Sequence, residues 1–235
     1  MPKIIRTKGW LDYKRAIADY SKLSAARRER IIFRGHANSR WPLKTTIDRG
    51  RKFSSQAKRQ AVVESLVQAF KESSVGVLES TLGIELDEEW ELLGRHHGLP
   101  TPILDWTQSP YMAAYFAFDQ ATVRKAGYVS IWTLDREVFE SSDVEAVDFI
   151  DSKGLVRFNP RAVEQRAIFM RVMNATKSLV QLLGSALVRY DVPVQESQTA
   201  LADLDAMNVN ARVLFRNLDG VARLADRRVL LFGEN

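Results

Sequence analysis

The sequence predicts an α+β fold, with a mixed or antiparallel sheet as its core and helices flanking it. Three observations predict it. Short apolar strands, IIFRG (31–35), GYVSIWTLD (127–135) and RAIFMRVM (166–173), are spread along the chain. Helical patterns stand before and between them, at 10–24, 55–72 and 87–98. The two kinds of element do not alternate regularly, which argues against a doubly wound parallel sheet.

Each element has a local reason. Trp10, Tyr13, Ile17 and Tyr20 recur at helical spacing and share one face. IIFRG is a buried strand that Gly35 ends. Ser55 to Glu72 is a helix with Val62, Leu66, Ala69 and Phe70 on one side. Asp87 caps the helix DEEWELLGRHHG, which Gly98 terminates. Pro100 to Leu104 is extended, and Ser109 or Thr107 then caps PYMAAYFAFDQA with Pro110 in its first turn. Helices follow at 176–184 and 197–207, with a short strand near 186–192 between them. No repeat, low-complexity tract or flexible linker divides the chain, so residues 1–235 are expected to form a single domain.

Composition narrows the function classes. The chain has no cysteine, which excludes disulfides and cysteine-ligated metal. No apolar run has the length of a membrane span, and MPKIIRTKGW lacks the apolar stretch of a signal peptide. A cytoplasmic protein without a membrane partner is expected. The net charge of +5 is unevenly spread. Residues 1–60 hold 17 Lys/Arg against 4 Asp/Glu, whereas the remainder is acidic. Such a basic quarter suits DNA, RNA or a phosphate-bearing ligand, and equally a solvated helical surface.

Three segments carry polar chemistry. In the first, Phe33-Arg34-Gly35-His36 with Trp41, a guanidinium stands at the end of a buried strand beside a glycine that lets a ligand approach the backbone. Arg34 either binds phosphate or carboxylate, or ties the strand to a neighbouring loop. The second runs from Arg95-His96-His97 through Asp105-Trp106-Thr107 to Ser109-Pro110. Adjacent helical histidines point in different directions, and no HExxH pattern is present, so no metal is expected. His97 can donate to a ligand, Asp105 can accept from His97, Arg34 or ligand hydroxyls, and Trp106 can stack on a flat ring. Spacing alone does not separate these roles from a turn and a core tryptophan. Ser109 reads as a helix cap. In the third, Arg161 to Phe169, Glu164 or Gln165 enters an apolar strand and can present a carboxylate or an amide to a cleft.

Taken together, FRGH with Trp41, LGRHHGLPTPILDWTQSPYMAAYFAF and VEQRAIF resemble the FRG domain family, whose name comes from its Phe-Arg-Gly motif. LFRNLDGVARLA (214–225) resembles that family's closing segment, so the resemblance runs from about residue 10 to 225. A fainter resemblance links the same order of motifs to the ADP-ribosyltransferase superfamily. It implies a split sheet and NAD as substrate. It also implies that Arg34 and Gly35 bind the dinucleotide, that Thr107 and Ser109 shape the nicotinamide pocket, and that Glu164 or Gln165 contacts the ribose. Trp106 or Tyr115 would stack on nicotinamide. If Gln165 holds the late-strand position, the carboxylate that stabilises an oxocarbenium-like transition state is missing. The expected function is therefore an NAD-using ADP-ribosyltransferase-like enzyme, of the kind found in toxins or phage-defence effectors. The alternative is a non-catalytic nucleotide- or nucleic-acid-binding module.

Overall fold

The computed structural model describes residues 2–78, 84, 86–119, 121, 127–140, 146–150, 164–174 and 177–232. It is an α+β structure built on one seven-stranded mixed sheet. The strands are β1 (Lys3–Arg6), β2 (Ile31–His36), β3 (Ile103–Thr107), β4 (Tyr128–Asp135), β5 (Val147–Ile150), β6 (Ala167–Val172) and β7 (Leu187–Pro193). Their order across the sheet is β1-β7-β4-β2-β3-β6-β5. The β1–β7 pair is parallel and the others are antiparallel.

The sheet is nearly divided in two. β2 is paired with β4 along its whole length, but it meets β3 only at Phe33 and Thr107. Beyond that pair the strands diverge. A four-stranded half, β1-β7-β4-β2, thus joins a three-stranded half, β3-β6-β5, through one residue pair.

Helices cover both faces. On one lie α1 (Trp10–Ala16), α5 (Pro110–Asp119), α8 (Ser197–Ala206), α9 (Ala211–Phe215) and α10 (Leu218–Phe232). Their core includes Trp10, Tyr13, Phe33, Phe118, Ile131 and Val192. On the other, Ile32, Leu104, Trp132, Met170 and Leu187 pack with Phe139 of α6 (Arg136–Glu140) and Leu183 of α7 (Leu179–Leu183). The remaining helices are α2 (Ala25–Glu29), α3 (Gln56–Ser74) and α4 (Asp87–His96). The last covers the three-stranded half through Leu92, Ile103 and Phe169.

Several boundaries differ from the sequence reading. The helix expected over 10–24 is α1 followed by a 3-10 turn at Ala18–Lys22, yet Trp10, Tyr13 and Ile17 still bury one face. Gly35 lies inside β2, paired with Ile131, and does not end it. The expected extension at 100–104 becomes a strand at 103–107, because those residues find partners in β6. Asp87 sits inside α4, and the main-chain N–H of Leu86 is satisfied by the Glu89 carboxylate at 3.1 Å. Gly98 does end that helix, at φ +93°. Ser55 caps α3 by accepting from the Lys58 N–H at 3.2 Å. Both expected caps of α5 are used: Ser109 Oγ accepts from Met112 N at 3.3 Å and Thr107 Oγ1 from Ser109 N at 3.1 Å. Residues 161–163, part of the third chemical segment, lie outside the described residues.

Candidate functional site in the split of the sheet

The divergence of β2 from β3 opens a cleft of about 380 Å³. Side chains alternate along a strand, so Arg34 and His36 project to the Ile32 face, while Asp105 and Thr107 share the face of Phe33. In an intact sheet these groups would be separated. Here the Arg34 side chain turns into the opening, where its guanidinium donates to the main-chain carbonyl of Asp105. Its Nε donates to His36 Nε2 at 3.3 Å.

Two further arginines join it. Arg95, from the last turn of α4, pairs with the Asp105 carboxylate at 2.7 Å. Arg49, from the loop after β2, lines the same cleft. Asp105 is the one carboxylate among the described lining residues, so three guanidiniums face a single negative charge. Burial pulls the Arg34 guanidinium down to about 10; Asp105 opposes this, and Arg95 and Arg49 add to it. Burial and the neighbouring charge of Arg95 lower Arg49 too. At about 10, Arg34 remains cationic at neutral pH. The His36 ring is held down to about 3 by burial, with Arg34 and Arg49 contributing, so it is neutral and accepts from Arg34. An excess of cationic charge in a cleft, with Arg34 held by burial and Arg49 exposed at its edge, is a site for an anion.

The opposite wall is aromatic. Phe116 of α5 and Phe215 of α9 meet edge to face at 6.2 Å, and both line the cleft. Trp41 stands half exposed at the mouth, with its ring 6.4 Å from that of His36. A ligand with phosphates and a flat ring has a partner for each part.

The glycine of β2 answers to a helix. A Cβ on Gly35 would sit 2.0 Å from the Ala113 carbonyl oxygen and 2.7 Å from the Ala117 nitrogen of α5. The close approach that demands glycine there is that of α5.

The late-strand register is resolved by the backbone. Gln165 lines the cleft, and its amide donates to the Leu214 carbonyl at 3.0 Å. The Thr107 hydroxyl donates to the Gln165 carbonyl at 2.6 Å, fastening the start of β6 to the end of β3. Glu164 is absent from the lining and pairs with Arg216 at 2.7 Å. Arg166 adopts φ +46°, which turns the chain between Gln165 and β6.

Of the residues expected from sequence, Arg34, Gly35, Asp105, Trp106, Thr107 and Gln165 line this cleft. The other expected residues do not. His97 is exposed past the end of α4, and Ser109 caps α5. Tyr115 is buried in the core and donates to Asp119 at 3.2 Å, with burial raising its pKa. Trp106 lines the cleft but is only 2% exposed and packs in the core with Leu104 and Trp132. Arg49, Phe116 and Phe215 were missed. Arg49 was one cation among many in the basic quarter, and nothing local marks a phenylalanine of the last third as a neighbour of β2. Among the described residues, no three His, Asp or Glu side chains gather as metal ligands, and no helix is long and apolar enough to cross a membrane.

A family model for the FRG domain matches residues 29–126. This chain carries an FRG domain. The matched stretch is shorter than the span over which the sequence resembles the family. It contains β2, α4, β3 and α5, and with them Arg34, Arg49, Arg95 and Asp105. Gln165 and Phe215 lie outside it, so the FRG stretch supplies the cationic wall and the rest of the chain closes the cleft. No curated protein and no solved structure matches the chain.

Proposed function

We propose that the cleft takes NAD as substrate and that the protein is an ADP-ribosyltransferase-like enzyme. One observation carries this reading: Arg34, Arg49 and Arg95 converge in the split of the sheet around one carboxylate, opposite an aromatic wall. A pyrophosphate is the dianion such a set would neutralise, with bidentate guanidinium contacts fixing its orientation. Trp41, or Phe116 with Phe215, would take the flat rings.

The chemistry would be displacement of nicotinamide from C1′ of the ribose by an acceptor nucleophile or water: the C1′–N bond breaks with its electron pair leaving on nicotinamide, and the attacking N–H or O–H group bonds to C1′ and loses its proton to solvent. The breaking bond leaves positive charge on the sugar, which a carboxylate stabilises. With Glu164 directed to Arg216, Asp105 is the carboxylate available in the cleft, and the Gln165 amide can hydrogen-bond a ribose hydroxyl. Such an activity suits a toxin or phage-defence effector working in the cytoplasm, where NAD is supplied.

A second reading, a non-catalytic nucleotide-binding module, is favoured by the same turning away of Glu164. Calorimetric titration with NAD, paired with chromatographic detection of free nicotinamide, separates the two. The enzyme reading expects saturable binding that Arg49→Ala weakens, together with nicotinamide release. Binding without release selects the module. Absence of binding removes the enzyme reading and removes NAD as the ligand of a module.

A further inference from the structure

A second cavity, of about 480 Å³, lies behind the loop that walls the first. The loop after β2 serves both. Its Trp41 and Arg49 face the cleft, whereas Leu43, Lys44, Asp48 and Arg51 face the second cavity. The far side is built by Val172, the last residue of β6, and by the start of α7.

This cavity is layered. Its floor is a buried ion pair, Arg59 with Asp48 at 2.8 Å, and Arg59 also donates to the Val172 carbonyl at 3.1 Å. Thr45 Oγ1 completes the floor by donating to Asp48. Its walls are apolar, from Leu43, Val172 and Leu179, with the half-buried ring of Phe53 at one side. Its rim is cationic. Lys44, Arg51 and Lys177 are exposed there, and Asp48, already paired with Arg59, is the one carboxylate among the described lining residues.

We propose that this cavity is a second nucleotide site, distinct from the cleft, in which Arg51, Lys177 and Lys44 hold a phosphate and Phe53 takes the base. A solvated charged face would not need the apolar pit beneath it, and a hydrocarbon ligand would not need the rim. A phosphate joined to a flat, largely apolar ring uses both. The volume accommodates one nucleotide unit. That unit is a free mononucleotide or one residue of a single strand, which share this chemistry. The proposal does not rest on NAD chemistry in the cleft.

The test is fluorescence anisotropy with a short fluorescein-labelled oligothymidylate, with AMP and inorganic phosphate as competitors. Arg51→Glu/Lys177→Glu changes only exposed rim residues. It is expected to weaken binding about tenfold and to lower the slope of log affinity against log salt by about one for each phosphate-binding cation removed. Arg15→Glu, a distant exposed cation on α1, is the control for diffuse charge and is expected to bind like wild type. Phe53→Ala is expected to weaken AMP about tenfold while leaving inorganic phosphate unchanged. AMP binding by calorimetry without oligothymidylate binding assigns a free nucleotide; oligothymidylate binding assigns a strand. The proposal is overturned if neither probe binds, if the rim reversal leaves affinity unchanged, or if Arg15→Glu or Arg49→Ala/Arg95→Ala causes an equal loss. Nicotinamide release reports on the cleft separately, so failure of one reading does not mimic failure of the other.

Discussion

The Arg34 guanidinium donates to the main-chain carbonyl of Asp105, which leaves the Asp105 carboxylate to Arg95 at 2.7 Å. The cleft is thereby braced by backbone on one side and by an ion pair on the other. The Asp105 side chain is 43% exposed, so the pair contributes little to stability, under about 1 kcal/mol. Asp105→Asn is therefore expected to fold with a nearly unchanged melting temperature. Nicotinamide release should fall by about a hundredfold or more. An unfolded variant would make Asp105 a structural residue, and unchanged turnover would remove it from the chemistry.

Gln165 and Glu164 make opposite predictions. Glu164→Gln breaks a partly exposed pair with Arg216 and should change neither NAD turnover nor stability by more than about 1 kcal/mol. Gln165→Glu removes the donor to the Leu214 carbonyl and sets two acceptors against each other. It should cost roughly 1–3 kcal/mol in chemical denaturation. Turnover should rise in the variant that remains folded, because the cleft gains a second carboxylate. Lower turnover in Gln165→Glu with intact NAD binding would assign the amide itself to the ribose.

Gly35→Ala tests the packing of α5 on β2. The added methyl would meet backbone atoms of Ala113 and Ala117, which cannot swing aside as a flexible side chain would. Destabilisation of about 1–3 kcal/mol or more is expected from overpacking. A urea midpoint equal to wild type would show that α5 can shift freely.

His36 makes stability depend on pH. Its folded-state value is about 3, well below that of the unfolded chain, because burial disfavours the cation. Below roughly pH 6.5 the unfolded state binds a proton that the folded state refuses, so stability is lost as pH falls. The slope attributable to this residue approaches about 1.4 kcal/mol per pH unit. Urea unfolding near pH 7 and near pH 5 should show a larger acid loss in wild type than in His36→Gln. Glutamine keeps an oxygen for Arg34 but has no proton to bind. Parallel behaviour of the two proteins would count against a neutral, buried ring.

Much of this molecule was legible in its residues. Helical spacing located Trp10, Tyr13 and Ile17 on one buried face, and apolar runs located β2, β4 and β6. The polar clusters around Arg34 and Asp105 marked the segments that line the cleft. These are local features, set by periodicity, capping and side-chain chemistry within a few residues of one another. β1 and β5 were missed because strands of four residues acquire their identity from long-range partners, here β7 and β6.

The amino-acid order alone determined the longer elements and that a guanidinium and a carboxylate flank a strand edge. Only the tertiary structure decided that β2 and β3 part after Phe33 and Thr107, that a left-handed turn at Arg166 sends Gln165 inward and Glu164 outward, and that Arg49 and Phe215 arrive from distant segments. The physical reason is that element formation is governed by contacts near in sequence. A cleft is made where two sheet halves fail to pair, and that depends on which distant strands and helices satisfy their backbone and apolar surfaces elsewhere.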